Sequence, residues 1–383
     1  MTFITSFQNG FLTDGKTAVG AAAEVNDTHC QLEYVDGKTW DRIAAQFDDV
    51  VHEQTHFFNT LRWGESKVEN VIFRFSNRVI GGASVIILPI PLSTTGLAIV
   101  KWGPLWRQQG QQPHLSHLKS MLHLLQKEFA ETRGFYLTIM PHADPEHSKD
   151  ICDSLEALGF KTGTTLSAPE RYLVNTGQSV EDLRKSLDQK WRYNLKKAGK
   201  NSFKIEFSTS DKAIDTFIAL YEKMLARKRF MDTSAIHTLK GLMQNSNEAL
   251  RPSIVLVSHK DKVIAGGVFD LSGGRATYLY GASDNQAVSL KAGYAMHWWL
   301  AAHLCNLPHN HIYDLGGNDR DHGLHQFKKG FVGKTGAICL TPPAYHYAGN
   351  WRARVAGCAI FQIRELKVSL LPKIHALKTR LMK

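Results

Sequence analysis

The residues from His311 to Gly333, HIYDLGGNDRDHGLHQFKKGFVG, have types and spacings suited to chemistry at a carbonyl group. Gly316 and Gly317 follow a short apolar run, where glycine permits a positive φ or close approach of a ligand to the backbone. Ligands of open α/β sheets favour the carboxyl ends of strands. Phe327–Phe331, FKKGF, then places cations beside apolar anchors. Further hydrogen-bond acceptors come from Asp314, Asp319 and Asp321. We predict a binding loop here, with a structural loop as the alternative.

A cationic segment from Ser179 to Lys200, SVEDLRKSLDQKWRYNLKKAGK, has the pattern of one helix. Ser179 followed by Asp182 resembles a capping box, and the apolar residues repeat at helical spacing opposite the basic ones. Arg192 and Lys196 lie one turn apart, as a clamp on a phosphate group requires. We predict that they hold a nucleotide, a lipid pyrophosphate or an RNA backbone. A solvated structural surface is the alternative.

The sequence His52-Glu53-Gln54-Thr55-His56 matches H-E-x-x-H, which on a helix directs two imidazoles to one zinc ion. No third ligand follows in a recognisable motif, and 18 histidines raise the frequency of chance matches. A zinc metallopeptidase therefore stays an alternative, and no metal site is predicted. The five cysteines include no C-x-x-C pair, so neither a thiolate zinc site nor a disulfide framework is expected.

The composition is that of a globular protein in a reducing, cytoplasmic setting. A length of 383 residues favours two or three domains, and 43% hydrophobic with 21% charged residues excludes collagen, coiled coil and wholesale disorder. The net charge of +11 favours phosphate-bearing partners. The N-terminus lacks the pattern of a secretory signal. Pro89 and Pro91 interrupt the uncharged stretch from Val79 to Val100, which predicts two strands joined by a turn rather than a membrane span.

Two halves of the chain share one pattern of elements. Arg78–Ala83, RVIGGA, aligns with Lys262–Gly267, KVIAGG, at an offset of 184 residues, and each follows a β-rich run. The helix and strand that follow each hairpin are predicted at His117–Thr132 and Phe135–Met140, and at Leu290–Asn306 and His311–Leu315. This order of helix, strand meander, helix and strand is typical of the α/β sandwich of Gcn5-related N-acetyltransferases (GNAT).

The predicted fold class is therefore α/β (α+β), with two tandem GNAT-like domains of mixed sheets flanked by helices. We place an N-terminal domain at residues 1–169, a C-terminal domain at 170–345 and a basic amphipathic tail at 346–383. In the tail Ile374, Leu377 and Leu381 follow helical spacing after Pro372. The tail is expected either to lie on an anionic membrane surface or to dock on its own domain.

With these elements in place, three motifs resemble one family. WRYNLKKAGK from Trp191, YDLGG from Tyr313 and GLHQFKKGF from Gly323 occur in the order found in FemABX-related transferases, which include the peptidoglycan interpeptide-bridge aminoacyltransferases. THFFNTLRWG from Thr55 resembles an early aromatic segment of the family. The resemblance therefore covers roughly Thr55 to Thr341. It implies two acyltransferase-like domains that transfer an acyl or aminoacyl group to an amine. The long helical arm of some tRNA-using members is missing, which leaves the donor open.

The resemblance also implies roles for individual residues. Lys328 matches the lysine of the family's F-K motif, and it is the candidate cation for the oxyanion that forms when an amine attacks an ester or thioester carbonyl. Asp314 is the second candidate catalytic residue. The predicted substrate-binding residues are Trp63, Arg192, Asn194, Lys196, Tyr313, Gly316, Gly317, Phe327, Lys329 and Phe331. A helix N-terminus that could receive the pyrophosphate of acyl-CoA gives three cofactor-binding candidates, Tyr280, Lys291 and Gly293.

The predicted function is that of a FemAB-like acyl- or aminoacyltransferase that forms an amide bond in cell-envelope or polysaccharide biosynthesis. Aminoacyl-tRNA or acyl-CoA is the expected co-substrate, without a tightly bound cofactor, and the acceptor is an amine that is nucleotide- or lipid-linked. The predicted location is cytoplasmic, with peripheral contact to the inner membrane as an added option. The alternatives are an acyl-CoA-dependent N-acyltransferase of small molecules, the zinc peptidase and a non-enzymatic binding module.

Overall fold

Each half of the chain forms a seven-stranded mixed sheet flanked by helices in the computed structural model. The structure describes residues 30–91, 93–163, 170–228, 234–309, 311–317 and 322–381, and from residue 367 onward it describes the backbone alone. Asp319 and Asp321 of the predicted binding loop lie outside the described residues, as do the side chains of Ile374, Leu377 and Leu381. The duplication and the mixed sheets confirm the predicted architecture.

The first domain packs four helices against its sheet, around a core that includes Phe73, Val100 and Leu122. Its helices are α1 (Gly37–Ala44), α2 (His56–Trp63), α3 (Leu115–Leu125) and α4 (Ser148–Ala157). Its strands are β1 (Cys30–Val35), β2 (Val68–Phe75), β3 (Arg78–Pro89), β4 (Gly96–Lys101), β5 (Tyr136–Met140) and β6 (Lys161–Thr162). The uncharged stretch from Val79 to Val100 is thus confirmed as two strands, and no helix in the described residues is long and apolar enough to cross a bilayer.

The second domain repeats this build around a core that includes Trp191, Phe269 and Phe331. Its helices are α5 (Val180–Ser186), α6 (Gln189–Ala198), α7 (Asp211–Lys228), α8 (Leu239–Leu242), α9 (Asn285–Leu290), α10 (Ala292–Leu304) and α11 (His322–Val332). Its strands are β7 (Glu170–Asn175), β8 (Phe203–Ser208), β9 (Ser253–His259), β10 (Lys262–Asp270), β11 (Arg275–Ser283), β12 (Ile312–Asp314) and β13 (Ala337–Leu340). The strand order is β13-β7-β12-β11-β10-β9-β8.

The repeat of 184 residues extends to the turns of the two hairpins. Ser76 and Asn77 join β2 to β3 with φ values of 48° and 66°, and Lys260 and Asp261 join β9 to β10 with 50° and 62°. Positive φ at both central residues defines the turn that matches the twist of a two-residue hairpin. The same strained backbone therefore recurs at the aligned positions.

The cationic segment from Ser179 to Lys200 forms two helices instead of the predicted one. Ser179 caps α5 by accepting from the backbone of Asp182, as predicted, but Leu187 adopts an extended ψ of 147° and ends the helix. The amide of Asp188 donates to the carbonyl of Gly330 in α11, so a contact between helices interrupts the local pattern. A helical stripe in the sequence could not reveal this break.

The chain returns to the first domain after residue 341. Strand β14 (Tyr345–Ala348) pairs with β5 and β6, and helix α12 (Trp351–Leu381) packs on the same sheet. The predicted tail, residues 346–383, is therefore not a separate unit, because its first strand completes the sheet order β1-β2-β3-β4-β5-β14-β6. A four-residue strand that pairs with distant partners leaves little signal in the sequence.

Candidate functional site

A gap opens in the second sheet where its two parallel strands part. β11 and β12 pair over only three positions, of which the last is Thr277 with Asp314. β12 then ends, and Gly316 turns the chain with φ at 76°, which confirms the predicted positive φ. A Cβ on Gly316 would lie 3.7 Å from the carbonyl oxygen of Tyr278. The pairing of the two strands therefore ends at Thr277 and Asp314, which lies at the carboxyl end of β12, where ligands of α/β sheets bind.

The corresponding strands of the first domain stay closed. β4 and β5 pair over five positions up to Lys101 and Met140, and the next amide, Trp102, still donates to Met140 at 2.7 Å. Trp102 achieves this with a φ of 57°, a left-handed conformation that costs free energy in a residue with a side chain. In the described structure the two domains thus differ in the length of this parallel pairing, which is shorter in the second domain.

Lys328 reaches this opening from α11. Its ammonium donates to the carbonyl of Gly317 and lies 5.8 Å from the ring of Tyr172. A Cβ on Gly316 would stand 3.7 Å from the same nitrogen, and Lys328 as a whole is only 5% exposed. The structure therefore brings together the FKKGF and YDLGG motifs, whose residues are separated by about ten positions in the sequence.

The aromatic residues around Lys328 are mostly core. Phe331 is fully buried and stacks on Trp191 at 4.4 Å, so its predicted contact with substrate is wrong. Tyr313 is fully buried as well, and its hydroxyl forms a hydrogen bond of 2.6 Å with Nδ1 of His297. Burial, followed by the charge of Lys328, lowers the pKa of His297 to about 3, and burial raises the pKa of Tyr313 well above its usual value. Both groups are therefore neutral, and Tyr313 supports the site rather than binding substrate.

Asp314 anchors a buried ion-pair network and is inaccessible to substrate. Its side chain is fully buried, with Oδ2 accepting from Arg171 at 2.8 and 3.1 Å and lying 3.6 Å from Arg275. Oδ1 accepts from the amide of Gly316 at 2.8 Å. Because both oxygens are occupied, the predicted catalytic role of Asp314 is wrong, and the carboxylate instead fixes the turn that opens the gap.

The same network joins the two domains. Arg275, 5% exposed, donates to Nδ1 of His142 at 2.6 Å and to the carbonyl of Ala143 at 2.7 Å. Asp144 lies 3.5 Å from Arg275 and 3.2 Å from Arg107. Burial and the nearby Arg275 hold the pKa of His142 well below its usual value, so the imidazole accepts from the guanidinium. The network fixes the position of the first domain relative to the gap.

The first domain contributes a partly exposed charged cluster to the interface. Glu53 accepts from Lys101 at 3.1 Å and from the indole of Trp102 at 3.0 Å. Burial favours a higher pKa for Glu53, but the charges of His52 and Lys101 outweigh it and lower the pKa to about 2. The charge of Glu53 also acts on Tyr280 of β11, whose pKa is raised by burial and by this carboxylate. The cluster therefore borders the second domain beside one of the predicted cofactor residues.

The H-E-x-x-H sequence does not form a zinc site. His52–Gln54 is a single turn of 3-10 helix, and Nδ1 of His52 lies 3.0 Å from Glu53. His56 opens α2 and pairs instead with Asn70 at 2.9 Å. Because the two imidazoles have different partners, they do not share a ligand position. Across the described residues, no group of three or more His, Cys, Asp or Glu side chains is arranged to hold a metal ion.

Arg192 is exposed and holds the end of α5. One nitrogen of its guanidinium donates to the carbonyls of Lys185 at 3.0 Å and Leu187 at 2.6 Å, and the phosphate clamp with Lys196 stays a prediction. Lys196 stays exposed. Asn194 is nearly buried and donates to the hydroxyl of Tyr294 at 3.3 Å, a packing contact.

Helix α6 contacts α11 through Trp191, which packs on Phe327 and Phe331, and through Lys190, whose ammonium donates to Gln326 at 3.4 Å. Three cavities of about 30, 1020 and 480 Å³ are lined by neither Arg192 nor Lys328. The largest lies between the domains at the amino-terminal ends of β11 and β12, opposite the gap.

The remaining predicted binding residues are accessible to different degrees. Phe327 is half-buried against Trp191, whereas Lys329 is exposed and Trp63 is 37% exposed on α2. Lys291 has a φ of 64° at the start of α10, where Gly293 faces open space. These roles stay predictions. The carboxylate of Asp284 caps the N-terminus of the preceding helix α9, whereas the N-terminus of α10 has no side-chain cap.

The sequence analysis did not identify the residues that lie at the interface between the two domains. Glu53 stood in the H-E-x-x-H match, and its contacts with Lys101 and Trp102 appear only when β4 and the 3-10 turn meet. Arg171 and Arg275 lie in strands without a recognisable motif. The position of Trp102 directly after a predicted strand was the one signal that could have indicated it.

Two tandem α/β domains with a gap between parallel strands and a lysine at its edge define a transferase of the GNAT type. A GNAT acetyltransferase domain model matches residues 182–329, and the model of the FemAB family matches residues 44–237. Because the second match spans just over half of the chain, the protein belongs to the FemAB family, and the predicted family, fold and enzyme class are confirmed. Family membership also supports an acyl or aminoacyl donor and an amine acceptor in general.

Solved structures show the same fold. The crystal structure of FemX superposes with a TM-score of 0.67 at 15% identity, covering 83% of this chain and 97% of that one. A conserved protein of unknown function from Bacteroides thetaiotaomicron VPI-5482 has a TM-score of 0.51 at 10% identity and covers 82% of this chain and 98% of that one. No curated protein matches the chain in sequence. At these identities the structures support the fold and not a particular substrate.

Proposed function

We propose that this protein transfers an aminoacyl group from an activated ester to the amine of a cell-envelope precursor, with Lys328 stabilising the oxyanion. The observation that carries the proposal is the position of Lys328, which holds its ammonium against Gly317 at the gap between β11 and β12. A cation with 5% exposure interacts strongly with developing negative charge, because little water screens it. Membership of the FemAB family supplies the reaction class.

The reaction balances without a cofactor. The acceptor nitrogen attacks the carbonyl carbon, a C–N bond forms, and the carbonyl oxygen takes the negative charge that Lys328 stabilises. Collapse of the tetrahedral intermediate breaks the C–O bond to the donor, and the proton lost by the nitrogen goes to the leaving oxygen. The carbonyl of Gly317 orients the ammonium by accepting one of its protons.

An aminoacyl-tRNA donor is favoured over acyl-CoA by the exposed surface of α6. Lys196 and Lys197 are exposed on this helix and Lys200 follows it, and the ammonium of Lys197 lies 4.6 Å from the exposed ring of Tyr193. Cations interleaved with an aromatic ring suit an RNA backbone and its unstacked bases.

The acceptor is proposed to approach from the first domain. Lys101, 36% exposed, and Trp102 offer a cation and an aromatic face at the interface. A cation suits the phosphate that a nucleotide- or lipid-linked precursor carries. Trp63 remains a candidate contact on the same domain.

The proposal is tested by incubating the purified protein with an amine-bearing peptidoglycan precursor and either charged tRNA or acyl-CoA, each labelled in the acyl group. We expect label to enter the precursor as a base-stable amide from charged tRNA. Transfer from acyl-CoA alone would assign the donor differently and leave the reaction class intact. Absence of any labelled amide with a panel of aminoacyl-tRNAs, acyl-CoAs and envelope amines would contradict the proposed function.

A further inference from the structure

Helix α12 is docked on the first domain by one face only. Ala353 is fully buried, and Gly357 lies so close to the ring of Tyr136 that a Cβ would come within 2.1 Å of it. The ring of Phe361 stands 6.1 Å from that of Tyr136. Positions four residues apart lie on one side of a helix. From residue 362 to 366 every side chain is exposed, so the helix leaves the domain after Phe361.

A second, apolar face of α12 is left in contact with solvent. Trp351, Val355 and Ile363 are 71%, 61% and 53% exposed, and Ala359 between them is exposed as well. These four residues also repeat every fourth position, so they form a continuous stripe on a face different from the docked one. We call it the apolar stripe. A contiguous apolar patch on a surface helix marks an interaction site more often than scattered apolar residues do.

The charge around the apolar stripe identifies what covers it. The last 33 residues contain eight basic residues and one acid, Glu365, so they account for seven of the eleven net positive charges. The guanidinium of Arg352 lies 5.7 Å from the ring of Trp351, at the start of the stripe. Tryptophan with neighbouring cations beside an apolar helix face is typical of helices that lie in the membrane interface.

We propose that α12 binds the protein to the surface of a bilayer that contains anionic lipids, with the apolar stripe inserted among the headgroups. An anionic surface complements this charge, whereas a second copy of the same helix would repel it. The docked face holds the helix on the first domain, which leaves the apolar stripe and the exposed Arg352 available to lipid. The inference concerns location and does not depend on the proposed reaction.

The test is flotation of the full-length protein with phosphatidylglycerol vesicles and with phosphatidylcholine vesicles, at about 0.1 M salt. We expect binding to the anionic vesicles and little to the neutral ones. The triple variant Trp351→Ser, Val355→Ser, Ile363→Ser should bind at least about tenfold more weakly, because it removes the inserted apolar area. Val288→Ser with Leu340→Ser is the matched control, since these exposed apolar residues lie on the second domain.

A second variant, which removes positive charge, measures the electrostatic contribution to vesicle binding. Arg352→Gln with Arg364→Gln should weaken binding to anionic vesicles by roughly 25-fold, from about fivefold for each cation near the surface. Equal binding of the wild type to neutral vesicles, or unchanged binding of the triple variant, would overturn the proposal. Sedimentation that shows a concentration-dependent dimer for the wild type but not for the triple variant would mean that a second copy of the protein covers the apolar stripe. That result would also overturn the proposal.

Discussion

Replacing Asp314 by Asn separates a structural role from a catalytic one. The carboxylate is fully buried and opposes two guanidinium groups, Arg171 at 2.8 Å and Arg275 at 3.6 Å. Asn keeps an oxygen for the amide of Gly316, but it removes the countercharge of Arg171 and leaves Arg275 with Asp144 as its carboxylate partner. Breaking a buried ion pair from one side costs about 3–5 kcal/mol. The melting temperature should therefore fall by roughly 6–20 °C, from about 2–4 °C per kcal/mol for a domain of this size.

The assay is urea and thermal unfolding of Asp314→Asn beside Asp215→Asn. Asp215 forms an ion pair with Lys240 at 2.6 Å, but both side chains are more than 60% exposed. An exposed pair contributes about 0–1 kcal/mol, so the control variant should unfold almost as the wild type does. If Asp314→Asn were as stable as the control and yet lost its turnover, Asp314 would act in the chemistry and our assignment to the network would be wrong.

Three further variants test the surroundings of the gap. Gly316→Ala should lower the free energy of unfolding by about 1–2 kcal/mol because φ is 76° there. Gly293→Ala, at a position where a Cβ meets open space, should change the free energy of unfolding little. Urea unfolding compares the two variants, and equal losses would contradict the claim that a side chain at position 316 strains the backbone. The wild type should lose stability as the pH falls from 6.5 to about 3, because the imidazole of His297 binds a proton in the unfolded state and not in the buried site. His297→Gln should reduce this loss, and an unchanged pH profile of stability would contradict the assignment. The ionised Glu53 stabilises the wild type above pH 4.5, and this contribution is lost as the pH falls toward about 2. Glu53→Gln should therefore be less stable above pH 4.5 and depend less on pH in this range, as measured by unfolding across it. A variant whose stability falls more steeply with acid than that of the wild type would contradict this prediction.

Local signals in the sequence predicted the duplicated architecture well. The aligned RVIGGA and KVIAGG runs marked hairpins whose turns, at Asn77 and Asp261, share a positive φ. The helix predicted at His117–Thr132 corresponds to α3 and to the π-helical segment Gln126–Thr132 that continues it. These features depend on neighbours in the chain, which the sequence displays directly.

The candidate site was predicted only where motif and position coincide. Lys328 and Gly316 belong to the segment predicted as one binding loop, and they meet because a lysine one helix after a strand end can reach back to that strand. The partners of Asp314 and Arg192, which are Arg171 and the backbone carbonyls at the end of α5, were missed because they are set by tertiary packing. A charged residue in a sequence motif does not reveal whether the folded protein will pair it with an opposite charge.

The central claim is that the ammonium of Lys328 stabilises the oxyanion. Single-turnover transfer should be measured for Lys328→Met beside Lys329→Met, its exposed neighbour on α11. We expect Lys328→Met to lower the rate by roughly 10²–10³-fold with donor affinity nearly unchanged, since the loss falls on the transition state, while Lys329→Met retains most of the rate. A folded Lys328→Met variant that transfers as fast as the wild type would contradict the claim.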